Sequence, residues 1–150
     1  MLRHAALPRP EQRRGGGMCD GPKRVLPMTL PAIIQSYLDA YNRKDVTALV
    51  NCVSETILFE NVSNAGQSLK IAGRSAFAEL AGQAATLFIT RHQSVRTAVV
   101  AGDQVALEID WTGIPAVDLG PLKAGERVAL RGASFMTVVD GKLARIVDLS

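Results

Sequence analysis

The sequence is poor in the residues that build metal centres and disulfide frameworks. It has two cysteines, Cys19 and Cys52, and two histidines, His4 and His92, none within ligand spacing of another. No C-x-x-C pair is present, so a structural zinc site is excluded and no metal is expected. Two distant thiols instead suggest a reducing compartment, and hence a cytoplasmic location. No apolar run approaches the roughly 18 residues of a membrane span. Nor is there the apolar stretch of about 7–15 residues that a secretory signal needs.

What is present divides unevenly. Residues 1–27 carry six basic and two acidic side chains, whereas the rest carries eleven and twelve. The formal charge of +3 therefore belongs to the first segment. The near-neutral remainder shows no nucleic-acid footprint. Residues 1–27 mix Arg, Pro and Gly15-Gly16-Gly17 without apolar periodicity, and the expectation is a disordered basic tail. Met28 directly precedes the first helical pattern, so translation beginning there is a second expectation. Residues 28–150 are read as one domain, long enough to bury a core without covalent staples.

Leu30, Ile33, Ile34, Tyr37, Leu38 and Tyr41 form one helical stripe, with Thr29 placed to cap it. Asp45 is placed to cap a short second helix carrying Val46, Leu49, Val50 and Val53. Thr56–Phe59 reads as a strand and Asn61–Gly73 as a loop. A third helix carries Phe77, Leu80, Ala81, Ala84, Leu87 and Phe88 on one face. The period then changes to two: Ser94–Val100, Gln104–Thr112, Arg127–Val139 and Leu143–Leu149 read as strands. Ala101-Gly102-Asp103 and Asp140-Gly141 are hairpin turns.

Helices followed by hairpins imply an α+β fold. The expected shape is a cone, with three N-terminal helices packed on a strongly curved, mostly antiparallel sheet. Such a cone leaves an axial cavity suited to a small apolar molecule.

Four segments, Tyr37–Asp45, Leu58–Asn61, Gly73–Phe77 and Asp140–Asp148, occur in an order that carries a resemblance. Over residues 29–149 the chain resembles the nuclear transport factor 2-like superfamily, in its SnoaL-like, ketosteroid-isomerase-like and limonene-epoxide-hydrolase-like branches. Within the isomerase pattern Tyr37 falls on the oxyanion-donating tyrosine. The carboxylate base is replaced by Asn61 and the second acid by Ala133, which also counts against a SnoaL-type cyclase. The hydrolase pattern keeps Asn61, Asp110 and Asp148, replaces its tyrosine by Phe59 and puts Glu108 in its arginine position. Arg131 is the proposed substitute for that arginine.

The resemblance thus implies Asp110, Asp148 and Tyr37 as catalytic residues, and Asn61, Phe59, Arg131 and Trp111 as substrate-binding ones. It implies a cofactor-independent hydrolase or isomerase acting on a small apolar molecule, and a homodimer, with no organic cofactor and no membrane or nucleic-acid partner. The alternative is a non-catalytic ligand-binding or assembly module.

Each residue also has a plainer reading. Glu108 and Asp110 alternate with Leu107, Ile109 and Trp111, as on a strand with one solvated acidic face. Tyr37 fits core packing, and Asn61 fits a turn. Asp148 fits solvent or a pair with Arg74, His92 a helix-end cation, and Cys52 a small buried hydrophobe.

Overall fold

The structure, a computed structural model, describes residues 29–150. The readings of the tail and of a start at Met28 lie outside the described residues.

Three helices come first or near first: α1 (Ala32–Asn42), α2 (Val46–Asn51) and α3 (Arg74–Thr86). Six strands complete the chain: β1 (Val53–Val62), β2 (Leu69–Ala72), β3 (Phe88–Ala101), β4 (Gln104–Pro115), β5 (Val128–Val139) and β6 (Lys142–Leu149). They form one sheet in the order β2-β1-β6-β5-β4-β3. Every neighbouring pair is antiparallel except β1 and β6, which run parallel. The α+β expectation holds.

The apolar stripe of α1 buries Ile34, Tyr37 and Leu38 against the inner face of the sheet. Leu107, Met136 and Ile146 meet them from β4, β5 and β6. Pro31, not Thr29, is the N-cap residue of α1. Asp45 does cap α2, accepting from the Ala48 amide at 3.0 Å. Asn42, the last residue of α1, ties the helix to β3. Its amide accepts from the Gln93 N–H at 2.7 Å and donates to the Gln93 carbonyl at 3.0 Å.

Two expectations are corrected. Part of the expected loop is strand β2, an edge strand paired with β1. The expected end of α3 is instead the start of β3: the helix stops at Thr86 and Phe88 already pairs with Pro115. His92 accordingly lies exposed within β3 rather than at a helix end. The β5–β6 turn is as expected, with positive φ at both Asp140 (50°) and Gly141 (72°).

Candidate functional site

Beside the C-terminal end of α1, the inner faces of β3, β4, β5 and β6 leave a cavity of about 400 Å³. Its apolar wall includes Tyr41, Phe88, Ile109, Trp111 and Leu122. Its polar lining includes Asn61, Gln93, Ser134 and Asp148. Phe88 meets Trp111 edge-on, with ring centroids 5.0 Å apart.

Strand register decides which side chains reach it, because alternate residues point to opposite faces. Ser134 pairs with Asp148 across β5 and β6, and Asp148 pairs with Asn61 across β6 and β1. All three therefore share the inner face. The Ser134 hydroxyl donates to Oδ1 of Asp148. Burial pushes the Asp148 carboxyl up from 3.8 to about 6, and the Ser134 hydrogen bond partly opposes that rise by favouring the ionised form.

Asp110 is not brought to this site. It faces outward from β4, on the opposite side from Ile109 and Trp111. Its carboxylate lies 2.9 Å from Arg96 and 3.8 Å from Arg131, and its side chain is 41% exposed. Glu108 joins the same outer network, 3.7 Å from both arginines. The plainer reading of Glu108 and Asp110 as a solvated acidic face matches this placement.

Arg131 borders the cavity, but its guanidinium is engaged outside by Glu108 and Asp110. It pairs in register with Asp110, so residues 131 and 133 share a face, and that face is the outer one. The inward position is Ser134, one residue along. The expectation that Arg131 stands between Asp110 and Asp148 is therefore corrected by a one-residue difference in phase.

Phe59 belongs to the core, packed edge-on against Phe77 at 5.7 Å, and is not part of the cavity wall. Tyr37 is likewise in the core, 5% exposed. Its hydroxyl is pushed well above its ordinary ionisation range by burial, then by the charge of Asp148, with Arg91 acting in the opposite sense. Arg74 does not pair with Asp148; it donates to the Val53 carbonyl at 2.6 and 3.2 Å. Cys52 is buried, as its small-hydrophobe reading held.

Two residues escaped the sequence reading. Tyr41 was one more member of an apolar stripe, yet its ring lines the cavity. Arg91 stood in a segment assigned to a helix end, yet it is buried with its guanidinium over the Tyr41 ring. The signal available was an arginine two residues from Gln93 on what proves to be the inner face of β3. Among the described residues no group of three His, Cys, Asp or Glu side chains is placed to hold a metal ion.

A family model described as a SnoaL-like domain matches residues 34–146. No curated protein matches the chain in sequence. Several solved structures share its fold. A protein of ketosteroid-isomerase-like fold from Catenulispora acidiphila, in complex with trimethylamine, is 17% identical, with a TM-score of 0.68 over 80% of this chain and 85% of that one. A candidate polyketide cyclase from Xanthomonas campestris pv. campestris is 27% identical, with a TM-score of 0.62 over 79% and 87%. An LEH-like epoxide hydrolase from M. tuberculosis is 20% identical, with a TM-score of 0.63 over 79% and 80%.

Proposed function

The chain belongs to the SnoaL-like domain family, and from that premise we propose that it binds a small, largely apolar molecule in the cavity and moves a proton on it through Asp148. The observation that carries this reading is Asp148 itself, an acid lining a mainly apolar cavity and pushed by burial to about 6. A group titrating there is present in both forms near neutrality. It can donate to a ligand oxygen or accept from an adjacent carbon.

A proton shift within one molecule needs one shuttling group. Epoxide opening by paired carboxylates needs a second, and Asp110 lies on the other face of the sheet. The reading is therefore a cofactor-independent isomerase rather than a hydrolase. The test is hydrogen–deuterium exchange at the α-carbon of small cyclic ketones in deuterium oxide, followed by proton NMR. The protein accelerates exchange and Asp148→Asn does not; equal rates with both remove Asp148 from the chemistry.

A second reading, a binding module without chemistry, is favoured by Asn61. It lines the cavity at the position where the resemblance puts the isomerase's carboxylate base. Ligand binding with no exchange at any pH supports that reading.

The working unit we propose is residues 28–150, acting as a homodimer in the cytoplasm. The outer sheet face supports pairing. Val99 (61% exposed) and Phe135 (44% exposed) border a hollow of about 320 Å³ beside the Arg96–Glu108–Asp110–Arg131 network. An apolar patch flanked by both signs of charge suits a self-complementary contact. Sedimentation showing a dimer that Phe135→Glu converts to monomer supports this; a wild-type monomer at all concentrations removes it. The buried free thiol of Cys52 is consistent with a reducing location; fractionation of the native protein tests it.

A further inference from the structure

Asn61, Ser134 and Asp148 stand together on one side of the cavity, in register across β1, β5 and β6. Gln93 lines it from β3, at the far edge of the sheet. Between the two sides lie Ile109 and Trp111 of β4, with Trp111 paired to Gln93. Strands β4 and β5 separate β3 from β6. At about 4.8 Å per strand step, Gln93 and Asp148 are at least about 14 Å apart along the curved sheet. A ligand that engages Asp148 and fills the cavity therefore has an opposite end, and that end meets Gln93.

β3 is an edge strand, with no neighbour beyond it to hold its backbone. At Gln93 a side chain does this instead. Asn42 accepts from the Gln93 N–H at 2.7 Å and donates to the Gln93 carbonyl at 3.0 Å, as a further strand would. Lys44 Nζ donates to the Phe88 carbonyl at 2.7 Å. Phe88 and Gln93 are the two residues of β3 that line the cavity. The end of α1 and the turn after it thus fasten the strand at the two places where it meets the cavity.

With its backbone held, the Gln93 side chain is left unengaged. Among the described residues its amide has no hydrogen-bond partner. A primary amide offers an acceptor oxygen and two N–H donors. A hydroxyl, which both donates and accepts, can use either. A carboxylate can use only the donors, and it brings a charge into a mainly apolar cavity, which is costly without a partner of opposite sign.

We propose that Gln93 is a second recognition point, which hydrogen-bonds a neutral hydroxyl at the end of the ligand remote from Asp148. Asn42 is its positioning residue. The ligand class is then an elongated molecule with an apolar middle and a polar group at each end. This inference rests on the cavity being the ligand site, and it adds a group at the end away from the proton transfer.

The test titrates benzylacetone and para-hydroxybenzylacetone into the full chain and into Gln93→Met, following amide proton–nitrogen NMR. The two probes share the ketone and the ring and differ only in the remote hydroxyl. The unmodified protein is expected to bind the hydroxylated probe about fivefold more tightly, the gain of one hydrogen bond. In Gln93→Met that preference is expected to vanish, with benzylacetone binding changed less than about twofold. No preference in the unmodified protein, or a preference that survives in the variant, overturns the inference and leaves the cavity reading standing. Binding of neither probe to the unmodified protein overturns the cavity reading and the inference with it. Should Gln93→Met not fold, Gln93→Asn carries the test: the shortened amide is expected to lose the preference, and an unchanged preference overturns the proposal. Asn42→Ala is expected to reduce the preference with benzylacetone binding unchanged; a full preference in a folded Asn42→Ala overturns its positioning role.

Discussion

The Ser134 hydroxyl and the Asp148 carboxylate face each other across β5 and β6, hydrogen-bonded on the cavity side of the sheet. Asp148 is the one acidic side chain among the described residues that line the cavity, and this pair helps set its ionisation. Ser134 favours the charged form and burial disfavours it, with burial the larger effect.

Asp148 makes the fold less stable as pH rises. Its folded value, about 6, lies above the ordinary 3.8, so the folded protein holds this proton more tightly than the unfolded chain does. The contribution is fully present below about pH 4 and is lost as pH rises to and through about 6. The loss amounts to about 3 kcal/mol at most. Urea denaturation from pH 4 to 7 is expected to show it, and Asp148→Asn to remove that part of the slope. An unchanged slope in the variant contradicts the assignment.

Ser134→Ala removes a partner of the carboxylate without adding charge. The Asp148 carboxyl is expected to titrate higher still, above its present value of about 6. Carbon-13 NMR of the side-chain carboxyl reads this directly. A downward move shows that another group holds the charged form.

Gly113 is required by Trp111. A Cβ at this position lies 2.4 Å from Trp111 Cη2, 2.8 Å from Cζ2 and 3.1 Å from the Thr90 carbonyl oxygen. Gly113→Ala must displace the indole, an overpacking that costs about 1–3 kcal/mol. Trp111 is the only tryptophan in the chain, so its fluorescence maximum reports the displacement. An unshifted spectrum and an unchanged melting temperature count against the packing described.

Asp110→Asn is expected to leave ligand binding and α-carbon exchange unchanged. The carboxylate is on the outer face, and exposed ion pairs contribute about 0–1 kcal/mol. Loss of exchange activity with the fold intact puts Asp110 back into the chemistry.

The fold was legible because its signals are periodic. The α1 stripe, the Asp45 cap and the Asp140-Gly141 turn were readable from composition and spacing alone. β2 was not, because a four-residue edge strand with mostly exposed side chains carries no alternating apolar pattern. The start of β3 was hidden for two reasons. Leu87 and Phe88 continue the apolar phase of α3, and register shifts between Phe88 and Thr90 and between Val95 and Thr97 break the period of two.

The site was less legible, since it depends on phase more than on residue type. Asp148 and Asn61 were named from the resemblance and do share the inner face. Asp110 and Arg131 carry suitable chemistry, but register turns them outward. Spacing fixes the separation of two residues on a strand; only pairing with the neighbours fixes which face they share. Tyr41 and Arg91 were missed because their contact joins a helix to a strand far along the chain, and no local pattern encodes that.

The parallel pairing of β1 with β6 has a consequence for the order of assembly. β1 is made early and its neighbour β6 comes after every other element. Until β6 emerges, β1 has only the short β2 to pair with, and Asn61 has no Asp148 beside it. Closing this gap is a long-range event of the kind that slows folding. The pocket, which takes Asp148 and Leu149 from β6, is therefore completed only after β6 has been made.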